Sequence, residues 1–178
     1  MNKTKSLLSA IAFTGAMLGA STGYAASHAP ATITLTDGAA YFGATFGANS
    51  MGAFADKFSF TLSELSSVAG LVSSISQSAS DGVNITGFDL FDSGGMSLGG
   101  TQLHSGMVDL WTVASAHLVP DTYYFLVSGD VLSNAAVSYS GNISVVAVPE
   151  PETYAMLLAG MGVVGFLARR RKSALSVA

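Results

Sequence analysis

The chain has 178 residues, of which 49% are apolar and only 10% charged, where a globular average is about 25% charged. Six of the seven cations, Lys3, Lys5, Arg169, Arg170, Arg171 and Lys172, lie in the end segments, leaving Lys57 against nine acids between Ala26 and Val148, a net −8 for that region. Such a surface repels nucleic acid and anionic lipid, and the absence of cysteine excludes disulfides, thiol catalysis and thiolate metal sites.

The first 25 residues carry Lys3 and Lys5, then the apolar run Leu7 to Ala20, then small residues around Gly23-Tyr24-Ala25. That is the three-part plan of a secretory signal peptide, with cleavage expected after Ala25. The implication is export of the chain from Ala26 onward.

From Thr32 onward, short β-branched and aromatic runs alternate with Gly, Ser, Asn and Asp clusters, which predicts an all-β domain of antiparallel β-sandwich or jelly-roll-like form. The predicted strands are Ile33 to Thr36, Tyr41 to Phe46, Phe58 to Leu62, Val68 to Ser76, Val83 to Phe91, Val108 to Ala114, Thr122 to Ser128 and Ala136 to Val146. Asp37-Gly38, Asp81-Gly82, Ser93-Gly94-Gly95 and Gly99-Gly100 supply the turns between them. A short helix over Glu64 to Gln77 is the alternative to a strand there, because Leu65, Val68, Ala69, Leu71, Val72 and Ile75 approximate a helical face.

In Phe54-Ala-Asp56-Lys-Phe58-Ser-Phe60-Thr-Leu62 the period of two puts Asp56 on the apolar face. A buried carboxylate there must sit at the strand's mouth, accept backbone amides or bind a cation. Gly95-Met-Ser97-Leu-Gly99 has the form of a nucleophile elbow, with Asp109 and His117 following in hydrolase order. The elbow requires a strand before it and a helix after it; a glycine-rich segment in a domain of about 120 residues offers neither, so no catalytic residue is assigned. Asp89-Leu-Phe-Asp92-Ser-Gly-Gly95 could offer two carboxylates to calcium, without the alternate ligands and terminal glutamate of an EF-hand loop. His28, His104 and His117 lack metal-ligand spacing. Trp111, Tyr123, Tyr124 and Tyr139 would make a sugar-stacking platform if exposed together, and core if not.

The chain ends with Pro149-Glu150-Pro151, an uncharged stretch from Tyr154 to Ala168, and Arg169-Arg170-Arg171-Lys172. The prolines predict an extended, accessible linker. The apolar stretch reads as a transmembrane helix, though its fifteen residues fall short of the roughly 20 that usually span a bilayer, and the cations keep the C-terminus cytoplasmic.

These three blocks in this order resemble the PEP-CTERM sorting signal of Gram-negative bacteria. The resemblance implies that an exosortase-type membrane enzyme recognises Pro149, Glu150 and Pro151, that Tyr154 to Ala168 is the helix presented to it, and that Arg169, Arg170 and Arg171 act as the membrane stop. Phe54-x-Asp56-x-Phe58 is similar to the motif of an FxDxF subgroup of such proteins; Leu118 to Gly129 and Tyr139-Ser-Gly141 are similar to that group's later strand and turn.

The organisation so read is a signal peptide over 1–25, an exported acidic β domain over 26–147, a sorting signal over 148–172 and a tail over 173–178. The expected product is a non-catalytic structural or interaction protein: an inner-membrane-anchored precursor, then delivered to the cell surface or an exopolysaccharide matrix. The alternative is a carbohydrate-binding module of that matrix, assisted by calcium. Expected partners are the processing enzyme, the membrane and exopolysaccharide.

Overall fold

A computed structural model describes residues 27–149 and 151–175, so the signal peptide over 1–25 lies outside the described residues. In chain order the elements are β1 (Ala31–Thr32), β2 (Ala39–Phe46), β3 (Gly52–Leu62), β4 (Ser66–Ile75), β5 (Val83–Phe91), β6 (Thr101–His104), β7 (Val108–Leu118), β8 (Asp121–Val131), β9 (Val137–Ala147) and α1 (Pro151–Leu175). The strands form two sheets, ordered β1-β3-β8-β5 and β2-β9-β4-β7-β6. Pairing is antiparallel apart from β1 with β3, which is parallel.

The expected sandwich is therefore present, with the alternation of burial that period-two patterning demands. In β3, residues 54, 56, 58, 60 and 62 point into the core while their neighbours point outward. β4 settles the strand-or-helix alternative: Ser66, Val68, Gly70, Val72 and Ser74 face inward, and the strand is central, paired with β7 on one side and β9 on the other. Leu71 and Ile75, which suggested a helical face, lie on the outer surface.

Seven phenylalanines, Phe42, Phe46, Phe54, Phe58, Phe60, Phe88 and Phe125, fill the space between the sheets. Their rings meet at 5.0 Å for Phe42–Phe58 and Phe88–Phe125, and at 5.4 Å for Phe42–Phe125. Rings this large fit because β4 and β9 carry glycine where the rings pack. A Cβ on Gly70 would lie 2.8 Å from the Phe125 ring, and one on Gly141 would lie 2.6 Å from the Leu71 carbonyl oxygen and against Phe42. Gly141→Ala is accordingly expected to destabilise the domain by about 2–3 kcal/mol, the ordinary cost of overpacking a closed core. Urea unfolding followed through Trp111, the chain's single tryptophan, would measure it.

The turns behave as their residues suggest. Asp37 and Gly38 take positive φ values of 51° and 74°, closing a two-residue hairpin between Thr36 and Ala39, the geometry that Asp-Gly favours. His117 also has positive φ, 58°, and sits at an irregularity in the β4–β7 pairing between Ser66 and Val68, which is a β-bulge.

Candidate functional site

Two features have functional character: the C-terminal tail and a buried polar node on β3. The tail begins where β9 leaves the sandwich. The Val148 amide donates to the Leu65 carbonyl at 2.8 Å, fixing the exit beside the β3–β4 turn, and Pro149 is exposed. Glu150 lies outside the described residues. Pro151 does not extend the linker as expected but opens α1. This is physically natural, because proline's missing N–H is no loss in a helix's first turn and its fixed φ is already helical. Glu152 in that turn complements the positive end of the helix dipole.

From Tyr154 to Leu167 every side chain of α1 is exposed, including Met156, Leu158, Val164 and Phe166. Gly160, Gly162 and Gly165 have open space where a Cβ would be. A helix apolar on all sides is at home only inside a protein or in lipid. Arg169, Arg170 and Arg171 continue the helix rather than ending it, and it runs to Leu175, as good helix formers at a negative dipole end allow. The expectation of a transmembrane helix is corrected in one respect: no helix among the described residues is long and apolar enough to cross a membrane. The uncharged stretch covers about 22 Å at 1.5 Å per residue, against roughly 30 Å of hydrocarbon.

The polar node centres on Asp56. Rather than lying at the strand's mouth, Asp56 is mid-strand and 1% exposed. Its burial is tolerated because donors surround it. The His28 amide donates to Oδ1 at 2.6 Å, the His28 Nδ1 lies 3.1 Å from Oδ2, and the Tyr139 hydroxyl donates to Oδ2 at 2.6 Å. The other ring nitrogen, Nε2, faces the Thr45 carbonyl at 3.3 Å. One residue earlier, Ser27 Oγ accepts the Ala55 amide at 2.9 Å. The first described residues are thereby clasped to β3, and the stack of Phe54 on Tyr139 (5.5 Å) closes over the node. Among the expected solutions, backbone donation is realised, with a histidine and a tyrosine added.

Burial, then the charge and hydrogen bond of Asp56, push the Tyr139 hydroxyl far above its ordinary value, so it remains a donor at any physiological pH. Above about pH 10 the unfolded tyrosine loses its proton while the folded one keeps it, so stability is full below that pH and falls as pH rises, by about 1.4 kcal/mol per unit. Tyr139→Phe is expected to be less stable than wild type at neutral pH by about 1.5–3 kcal/mol yet to lack this part of the alkaline slope. Urea midpoints between pH 8 and about 11 would show it.

The remaining expected site residues separate. Asp109 is 1% exposed and accepts the Ile85 amide (3.0 Å), the Gly106 amide (3.1 Å) and Ser74 Oγ (3.3 Å), pinning β5 and the β6–β7 hairpin to β4. Ser97 is exposed, and His117 lies eight residues along β7 from Asp109, about 26 Å at strand rise. These three cannot act together. Asp92 Oδ1 accepts the Met96 amide at 2.8 Å and so caps its own turn, while Asp89 receives only a long contact from Ser97 Oγ, 3.5 Å. No group of three or more metal-ligating side chains occurs among the described residues.

The aromatic quartet also divides. Tyr123 and Tyr139 are core, and Trp111 is half-buried with Nε1 donating to the Ile85 carbonyl at 3.0 Å. Only Tyr124 stands on the outer face of its sheet. It stacks on Phe91 (5.0 Å, 7°) and carries the Lys57 ammonium 3.7 Å over its ring, so its faces are already engaged.

The tail decides what can be assigned. Residues 147–172 match the PEP-CTERM protein-sorting motif. The motif implies an exported protein, made as a membrane-anchored precursor and sorted to the cell surface by an exosortase-type enzyme. Among curated proteins, none matches the chain. Solved structures with some likeness include PliG of Aeromonas hydrophila, a periplasmic inhibitor of g-type lysozyme, at 13% identity, covering 66% of this chain and 96% of that one with a TM-score of 0.45. Others are the pre-peptidase C-terminal domain of a Bacillus anthracis collagenase, at 12% identity, 72% and 100% coverage and a TM-score of 0.36, and a PliG mutant from Escherichia coli, at 11%, 68% and 100%, and 0.36. Likenesses at this level assign nothing to this chain.

Proposed function

We propose that the chain is a non-catalytic exported protein of a Gram-negative cell envelope, whose β domain is cargo delivered to the surface or its exopolysaccharide matrix by a temporary C-terminal tether. The observation that carries this is the tail itself: an exposed proline at the exit of β9, then a helix apolar all round, then a cationic end. A span of about 22 Å can hold in a bilayer if the arginines snorkel and the bilayer thins, at a modest cost. That marginal fit suits a tether meant for removal. The β domain serves a structural or interaction role, a reading supported by the commitment of its buried acids, Asp56 and Asp109, to holding strands together. In the same reading Phe54-x-Asp56-x-Phe58 is the mark of the FxDxF subgroup, fixed by the clasp that it builds.

Surface labelling of intact cells with a membrane-impermeant biotin reagent tests the proposal. The full chain is expected to be labelled. A chain ending at Val148 is expected to be exported but lost from the surface, and equal labelling of both would refute the role given to the tail.

A further inference from the structure

Exposed sheet edges are templates for pairing with other chains, and proteins usually block them. Here β1 has two residues, and β6 has four with an irregular register. Most outward groups of β5 are occupied: the Val83 carbonyl by Ser74, the Ile85 amide and carbonyl by Asp109 and Trp111, and those of Leu90 by Gly99 and Leu98. β2 is different. Its eight residues contain no charge and no proline, and its register with β9 runs unbroken from Ala39↔Ser144 to Phe46↔Val137.

Alternation fixes which groups face outward. The Ala39 amide and carbonyl both bond Thr36, across from β9, and the Thr45 carbonyl faces His28 Nε2. Odd-numbered residues of β2 therefore point to the open edge. Its two ends are thus fastened to the preceding segment. Between them, the amides and carbonyls of Tyr41 and Gly43 have no hydrogen-bond partner among the described residues. Beside them lies a groove of about 850 Å³, formed where the segment after β1 crosses from one sheet to the other, lined by Ile33, Thr34, Phe42 and Phe58 and free of charge. Tyr41 stands at its rim, 88% exposed.

We propose that this groove is a strand-acceptor site, which takes an extended, uncharged peptide segment of a partner protein as an added strand beside β2. Main-chain bonds go to Tyr41 and Gly43, and the peptide residue opposite Phe42 turns an apolar side chain inward against Phe42 and Phe58. Donors and acceptors alternating at two-residue spacing match another backbone, whereas a sugar has no such fixed array. An acidic domain with an uncharged acceptor edge favours an uncharged segment. A second copy pairing edge to edge would have to fit two Ala31–Thr36 segments beneath one junction, and a lone segment brings none. This site goes beyond sorting and stands whether or not the tail is cleaved.

The test uses the full chain in detergent micelles and a capped synthetic peptide of alternating threonine and valine, with an N-methylated version as control. In the free protein the Tyr41 and Gly43 amides are expected to exchange with solvent rapidly, while those of Phe42 and Ala44, bonded to β9, are protected. The peptide is expected to slow exchange at Tyr41 and Gly43 about tenfold or more, and the N-methylated peptide to leave it unchanged. Tyr41→Pro, which removes only an outward donor at an edge, is expected to abolish binding. Protection of both amides in the free chain, no slowing with the peptide, equal action of the N-methylated peptide, or a concentration-dependent dimer abolished by Tyr41→Pro would each overturn the proposal.

Discussion

Asp56→Ala is expected to destabilise the β domain by about 3–5 kcal/mol, because two donors lose their acceptor at once. Truncation strands the His28 amide and the Tyr139 hydroxyl, the latter beneath Phe54 and Phe46, and each unsatisfied buried donor costs about 1–3 kcal/mol. It also unfastens the segment around Ser27 and His28, because His28 holds that segment to β3 through this carboxylate. Asp56→Asn keeps the shape and one acceptor, so about half the loss is expected. Urea unfolding monitored through Trp111 checks both, and a loss under about 1 kcal/mol for the alanine variant would show that the node is not the clasp described.

Replacing Pro149, Glu150 and Pro151 together with alanine is expected to leave nearly all of the protein as unprocessed precursor. The physical reason is helical continuity. With Pro151 at its first position, α1 does not propagate back through Pro149. Alanine is the best helix former, so the variant lets the helix grow toward Val148 and hides the backbone that a processing enzyme must grip. Domain stability is expected to change by less than about 0.5 kcal/mol, because Pro149 is exposed. Glu150→Gln separates the contributions: it keeps both prolines and removes only the carboxylate. Immunoblots of precursor and product, read beside urea midpoints, distinguish a sorting defect from a folding one.

Much of the fold was legible because period-two burial leaves its mark on sequence. β5 runs from Val83 to Phe91 as expected, and β2 begins only two residues early. Strand lengths were read short at two ends: β3 starts at Gly52, ahead of the phenylalanine run, and β7 continues to Leu118 past Ser115 and Ala116. β6, Thr101–His104, is exposed throughout and has no apolar face to betray it. In β4 the inward face holds Gly70, where Phe125 and Phe88 from the other sheet fill the space, and Ser66 and Ser74, whose hydroxyls are hydrogen-bonded, and this moved the apolar signal outward. The node shows the limit most plainly. Period two could say that Asp56 faces inward and needs donors, but His28 and Tyr139 lie 28 and 83 residues away. Only topology brings them together. The tail was readable because its chemistry is local, block after block, and only the helix's start at Pro151 and its continuation through the arginines needed the structure.

As proposed, the tail is a temporary tether. That role is tested most directly by the intact mass of the protein purified from cells with and without the exosortase-type enzyme. The expected result is a product lacking Tyr154 to Ala178 in cells that have the enzyme and a precursor retaining it in cells that do not. Retention of Tyr154 to Ala178 in both would contradict it.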